Sequence, residues 1–167
     1  MYLNIIDNFV DPTLLEQIKN NFLYGIPHTW GHSSTGKGPK FYAVDISSNN
    51  DFIKYIHQRI NQEILNLNTE ILRSYINIQH KGMEGEFHTD DGDITALLMI
   101  TNTPNDDGGK FEYKWENGEI KTEDFIQNRL ILFQEIEHRG CAPTNGEPRI
   151  TLALKLKFIE NEIQTSI

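Results

Sequence analysis

Apolar and polar positions follow two periods along this chain, helical in the first part and strand-like after Asn68. Tyr2–Ile6 reads as a short strand, and Asp11-Pro12 then supplies a capping side chain followed by proline at the first helical position. Leu14, Leu15, Ile18 and Phe22 form the apolar stripe of that helix. A second helix is predicted over 51–65, where Phe52, Ile53, Ile56, Ile60 and Ile64 recur every three or four residues. Strands are predicted at 74–79, 94–101, 110–115, 130–134 and 149–158. Between the helices, the stretch 31–39 (GHSSTGKGP) has no side chains for a packed face and reads as an exposed loop, the best candidate for a lid.

Strands separated by short Gly, Asn and Asp turns, without crossover helices, predict a mainly β chain with flanking helices. Its antiparallel sheets would close into a sandwich or barrel, covered on one outer face by the two helices of the N-terminal half. The 167 residues suit one domain, and neither an internal repeat nor a linker divides them.

Charge narrows the partners. Fifteen Lys and Arg against 24 Asp and Glu give a net charge of −9, whose field repels phosphate backbones and disfavours nucleic acid. The single cysteine, Cys141, has no internal disulfide partner, and the start of the chain lacks a basic segment followed by an apolar run; both fit a reducing cytoplasm. No apolar stretch approaches the roughly 20 residues of a membrane span. The abundance of Asn and Ile hints at an AT-rich genome, such as that of a virus or phage acting in its host's cytoplasm.

Candidate chemistry begins at Phe87-His88-Thr89-Asp90, where alternation in an extended chain puts His88 and Asp90 on one side, close enough to share an ion. His-x-Asp alone is a weak signal. A third ligand follows in LILFQEIEHRG, where His138 comes just after a strongly apolar strand. Two imidazoles and one carboxylate make the facial triad that suits non-haem iron(II) and leaves three positions open for dioxygen and a chelating anion. The centre keeps a net positive charge, which favours a 2-oxo acid, and that acid is 2-oxoglutarate if a cation awaits its far carboxylate. Arg149 is that cation, eleven residues past His138, returned by a turn over 142–148, and able to bind a carboxylate through two parallel hydrogen bonds. Along its strand Arg149, Thr151 and Ala153 share one face, with Ile150, Leu152 and Leu154 on the other. In the earlier strand Tyr75, Asn77 and Gln79 oppose Ile76 and Ile78, so Tyr75 and Asn77 are further candidates to bind 2-oxoglutarate.

HTD, ALLMITN, DGGKFEY and LILF followed by His138 and Arg149 together resemble the 2-oxoglutarate and iron(II) oxygenases of the prolyl-hydroxylase type, over about 75–158. The resemblance implies a double-stranded β-helix (jelly roll). It implies iron on His88, Asp90 and His138, and Arg149 paired with the 2-oxoglutarate tail. The implied reaction is hydroxylation of an unactivated C–H bond with formation of succinate and CO2, consuming O2 and using ascorbate as reductant. The implied substrate is a proline-containing protein or peptide, with a free amino acid or small metabolite as the alternative. Two departures stand out. Gln79 occupies the place, nine residues before the first histidine, where relatives often carry tyrosine; and Lys155 stands where the nucleic-acid dealkylases add a second arginine.

Other readings compete at several positions. A jelly-roll module that binds metal without turnover is the rival from another class, and its mark would be a missing ligand or a missing Arg149. His28, His32, His57 and His80 lack partnered motifs and are given no role. Cys141 reads as a small buried hydrophobe in preference to a zinc ligand. Asp91 and Asp93 read as a solvated turn, and Gly108-Gly109 as a tight turn between strands. Trp30, Tyr42 and Trp115 are candidates to hold substrate near the metal.

Overall fold

The computed structural model describes residues 2–101, 108–144 and 146–159, so position 107 of the DGGKFEY segment and position 145 of the 142–148 turn lie outside the described residues. The elements run β1 (Tyr2–Ile6), α1 (Pro12–Lys19), β2 (Thr29–His32), β3 (Phe41–Ile46), α2 (Asp51–Arg59), β4 (Thr69–Gln79), β5 (Ile94–Met99), β6 (Phe111–Lys114), β7 (Ile120–Glu123), β8 (Leu130–Gln134), β9 (His138–Gly140) and β10 (Arg149–Phe158). Helix α1 starts where Asp11 accepts a hydrogen bond from the backbone N–H of Thr13 at 2.8 Å, and α2 where Asn50 does the same for Phe52 at 3.0 Å. Each helix widens at its end into a π-helical turn, Asn20–Tyr24 and Ile60–Leu65, and Asn66 stops the second in a left-handed conformation. The predicted span 51–65 is thus α2 plus its widened turn.

All strand pairs are antiparallel. One sheet has seven strands in the order β1-β8-β5-β10-β4-β3-β2, and the other has three in the order β7-β6-β9. Among the described residues the chain is therefore mainly β, with two α-helices, in a jelly-roll arrangement. Strands β1, β8 and β10 match the predicted bounds. Strands β2, β3, β7 and β9 escape prediction because β2 and β7 are exposed edges, β9 has three residues, and β3 lacks clean alternation. The stretch 31–39 accordingly begins inside β2, and only the remainder is loop.

The large sheet buries both of its faces. Ile76, Ile78, Ala96, Leu98, Leu132, Ile150, Leu152 and Leu154 pack with Leu15, Ile18, Ile53 and Ile56 of the helices. The opposite face carries Leu97, Met99, Ile131 and Phe133 against Phe111, Tyr113 and Phe125. Two-sided burial explains why β10 reads as an almost unbroken apolar run, ITLALKL, and makes the lysine within it conspicuous. Among the described residues no helix is long and apolar enough to cross a membrane.

Asn128 fastens the segment between β1 and α1 to the turn before β8. Its buried side chain accepts from Val10 N at 2.9 Å and donates to Val10 O at 2.7 Å, while its own backbone holds a φ of 66°. Asn128→Ala leaves both Val10 groups unpaired away from water, and we expect it to cost about 2–4 kcal/mol in urea unfolding. A loss below about 0.5 kcal/mol, no more than an ordinary surface substitution, would show that the latch carries no stability.

Candidate metal centre and its cavity

His88 and His138 lie opposite each other across an antiparallel bridge, with His88 N donating to His138 O at 3.0 Å and His138 N donating to His88 O at 2.9 Å. Two residues past His88, Asp90 brings its carboxylate between the two rings. The ligand atoms of His88, Asp90 and His138 all lie within 4.8 Å of one another, and they are the sole group of this kind among the described residues. Phe111 stacks on the His138 ring at 5.3 Å and Phe133 meets it edge-on at 4.5 Å, which fixes the ring in place.

Hydrogen bonding sets the chemistry of both rings. Nδ1 of His88 donates to Glu86 O and Nδ1 of His138 donates to Ile136 O, each at 2.9 Å, so the proton of the neutral ring sits on Nδ1. Nε2 of each is left as a lone pair facing an Asp90 oxygen at 3.4 Å. Lone pairs converging on one point repel each other unless a cation lies among them, so the arrangement fits a divalent metal. Burial holds the His138 imidazole down to about 4, keeping it neutral and ready to ligate at neutral pH. Burial works against ionisation of Asp90, but the ion pair with Lys155 outweighs it and holds the carboxyl well below its usual range.

Lys155 is a residue to which the sequence assigned no role in the site. It was read as the absence of an arginine, yet its ammonium is buried in the site, in an ion pair with Asp90 Oδ2 and donating to Thr95 Oγ1 at 3.2 Å. Thr95 in turn donates to the same Asp90 oxygen at 2.8 Å. Alternation through Arg149, Thr151 and Ala153 reaches Lys155 at the next step and gives its face, while its partners Asp90 and Thr95 come from far away in the chain.

At the other end of the row, Arg149 is buried, its Nε donating to Gly109 O at 2.8 Å and its Nη1 to Gln79 Oε1 at 2.7 Å. Gln79 is itself held by donating to Met83 O and Gly140 O. Gln79 thus orients the guanidinium, a role invisible in sequence, where it stood out only as a missing tyrosine. Gly140 passes so close that a Cβ there would lie 2.8 Å from the guanidinium carbon. Burial lowers the Arg149 guanidinium to about 10, and among the described residues no carboxylate lies within ion-pair distance of it. A buried guanidinium with spare N–H donors calls for an external anion.

Arg149, Thr151, Ala153 and Lys155 pair across the sheet with Gln79, Asn77, Tyr75 and Arg73, and all eight line one cavity of about 190 Å³ together with the three metal-ligand candidates. Asn77 Oδ1 and Thr151 Oγ1 face into it, buried and without a hydrogen-bond partner among the described residues. Tyr75 is buried, and that burial raises its hydroxyl and keeps it protonated. His32, given no role from sequence, lines the cavity with Ser33 and Ser34 of the 31–39 stretch, whose Thr35 hydrogen-bonds Glu86.

Several other residues fall elsewhere. Trp30 is half exposed and packs against Tyr42 at 5.0 Å with the rings inclined at 57°, beside an outer groove. Tyr42 sits opposite Ile78 and shares its helix-facing side, so neighbouring Phe41 enters the cavity in its place. Trp115 packs on Tyr113 in the small sheet, away from the cavity. His28 and His57 are satisfied by Phe22 O and Thr69 Oγ1, each at 2.9 Å. Cys141 is only half-buried, and burial together with Glu112 and Glu84 pushes its thiol up to about 12, outside the ligand group. Asp91 pairs with Arg73 at 3.2 Å, while Asp93 accepts from Phe158 N at 2.8 Å and so caps β10.

From the converging lone pairs we expect one cobalt(II) per chain, read from its visible absorption on titration. His138→Ala should weaken binding by more than the roughly 10–100-fold typical of an outer-shell change. Unaltered affinity in a folded His138→Ala protein would remove this histidine from the ligand set.

Neither a family model nor a curated protein matches the chain at the level of sequence. Solved structures do. A prolyl hydroxylase from Trichoplax adhaerens, in complex with a hypoxia inducible factor oxygen degradation domain peptide fragment, superposes with a TM-score of 0.74 at 15% identity, covering 99% of this chain and 87% of its own. A Pseudomonas putida prolyl-4-hydroxylase gives 0.68 at 14%, covering 94% and 92%. The viral collagen prolyl hydroxylase of Paramecium Bursaria Chlorella virus-1, solved as a 2-oxoglutarate complex, gives 0.68 at 13%, covering 95% and 97%. At these identities the likeness is one of fold, and the chain has the prolyl-hydroxylase-like fold of the 2-oxoglutarate and iron(II) oxygenases.

Proposed function

We propose that this chain is a 2-oxoglutarate-dependent iron(II) dioxygenase that hydroxylates an unactivated C–H bond, with a prolyl residue of a protein or peptide as its substrate. The observation that carries the reading is the pairing, in one cavity, of a three-sided ligand set with a buried guanidinium that has no carboxylate partner among the described residues. Each end fits one end of a 2-oxo diacid. The peptide substrate rests on the names of the structural neighbours, one of which was solved with a peptide bound.

His88, Asp90 and His138 would hold iron(II) on one face and leave the opposite positions open. Iron with 2-oxoglutarate bound supplies, together with dioxygen, the oxidising power for hydroxylation, yielding succinate and CO2, with ascorbate keeping the metal ferrous. The protein's own share is binding, orientation and exclusion of water. Arg149, aimed by Gln79, takes the far carboxylate through its spare N–H donors. Thr151 can donate its hydroxyl to the same molecule, Asn77 Oδ1 accepts from water that it orders, and Tyr75 offers a hydroxyl hydrogen bond. Leu97 and Phe133 give the cavity an apolar wall.

Binding of 2-oxoglutarate to manganese-loaded protein, measured by calorimetry, tests this directly. Arg149→Met should weaken it by about 100-fold, the usual cost of losing one partner of a buried charge pair. Gly140→Ala should weaken it too, because the added methyl displaces the guanidinium. Succinate release from 2-oxoglutarate by the iron form, abolished in His138→Ala, completes the case. Failure of the loaded wild-type protein to bind 2-oxoglutarate would sink the proposal.

A further inference from the structure

We infer that the substrate of this site is an anion, whose carboxylate is received by Lys155 and Arg73 on the side of the metal away from Arg149; the inference rests on the proposed function above. Among the described residues the charged groups lining the cavity are Arg73, Arg149 and Lys155 against Asp90 and Asp91, three positive and two negative, a net of +1. A divalent metal (+2) and 2-oxoglutarate (−2) cancel, so the loaded site keeps +1, in a chain whose overall charge is −9. Surplus charge in a buried cavity is costly, and a third ligand bearing a negative charge relieves it.

The position of Lys155 gives the surplus a direction. An ammonium has three N–H donors, and among the described residues Nζ has two hydrogen-bond partners, Asp90 and Thr95. The third remains for a ligand. Once a metal shares Asp90, that carboxylate no longer balances the lysine alone. Lys155 Nζ lies 5.8 Å from the Tyr75 ring centroid and the Arg73 guanidinium 5.0 Å from it, so two cations share one aromatic ring. Arg73 is half exposed, and one of its nitrogens pairs with Asp91.

Access comes from the same side. Arg73, Tyr75 and His32 belong both to the cavity and to an open groove of about 430 Å³ running along Thr29, Trp30 and Asp45. A substrate lying in the groove meets Arg73 first and Lys155 deeper, with the reacting C–H beside the metal. The carboxylate can be the free α-carboxylate of an amino acid or chain end, or an acidic side chain next to the modified residue. The two sources share their chemistry and differ in the substrate that supplies it.

The test uses manganese-loaded protein saturated with 2-oxoglutarate, without oxygen, and calorimetric titration with acetate and with two pairs differing in charge: N-acetylproline against its amide, and acetyl-Pro-Glu-amide against acetyl-Pro-Gln-amide. We expect acetate to bind. The acid of at least one pair should bind about tenfold or more tightly than its neutral partner, as one charge-assisted hydrogen bond gives. The pair showing the preference identifies the source. Lys155→Met should abolish the preference, and Lys155→Arg should retain both the preference and 2-oxoglutarate binding. Arg73→Gln, at a half-exposed position that leaves the core untouched, should reduce it. If 2-oxoglutarate binds but acetate and both acids do not, or bind no better than the neutral compounds, or if the preference survives in Lys155→Met, the inference is overturned and the proposed function stands. If 2-oxoglutarate itself fails to bind, it is the proposed function that falls.

Discussion

Strand β10 meets β4 with Arg149 opposite Gln79, Thr151 opposite Asn77 and Ala153 opposite Tyr75, and everything the cavity contains depends on that register. Side chains alternate with a period of two. A slip of one residue would turn Arg149, Thr151 and Lys155 toward the helices and push Ile150, Leu152 and Leu154 into the cavity. Several polar ties oppose such a slip. Thr101 Oγ1 donates to Pro148 O and accepts from Ile150 N at the start of β10, and Ser74 Oγ donates to Ile46 O from β4. The apolar face beneath does the larger part, since a slip would expose a whole row of buried aliphatic side chains.

That constraint explains which features were legible in the sequence. A strand buried on both faces announces itself by composition, so β8 and β10 were readable to the residue, while the helices showed through their apolar stripes and, for α1, through its Asp11-Pro12 start. The metal-ligand candidates could be found because an extended His-x-Asp puts both side chains on one side. Edge strands such as β2 and β7 carry no buried row and leave no such trace. Gln79 and Lys155 were hidden for another reason: their roles come from partners 70 and 60 residues away in the chain, Arg149 and Thr95. A pattern read along one strand gives the face on which a side chain lies, and the pairing of strands gives the group it meets.

The site accumulates opposed costs in a small volume. Arg149 and Lys155 are both buried cations, yet one is balanced within the protein by Asp90 and the other by no carboxylate among the described residues. Replacing either with an aliphatic residue would simplify the core energetically. Their retention is understandable if each waits for a different negative group, which divides the cavity into two anion-receiving ends with the ligand set between them.

The mutual backbone hydrogen bonds of His88 and His138 have a mechanical consequence. Because the main chains of the two residues are bonded directly to each other, their imidazoles behave as the two arms of one chelator, with a bite set by peptide geometry. Loops around the cavity can shift, and side chains on its floor can be exchanged, without altering that bite. What a visiting molecule encounters can therefore change from one sequence to another while the jaw that grips the metal keeps its span.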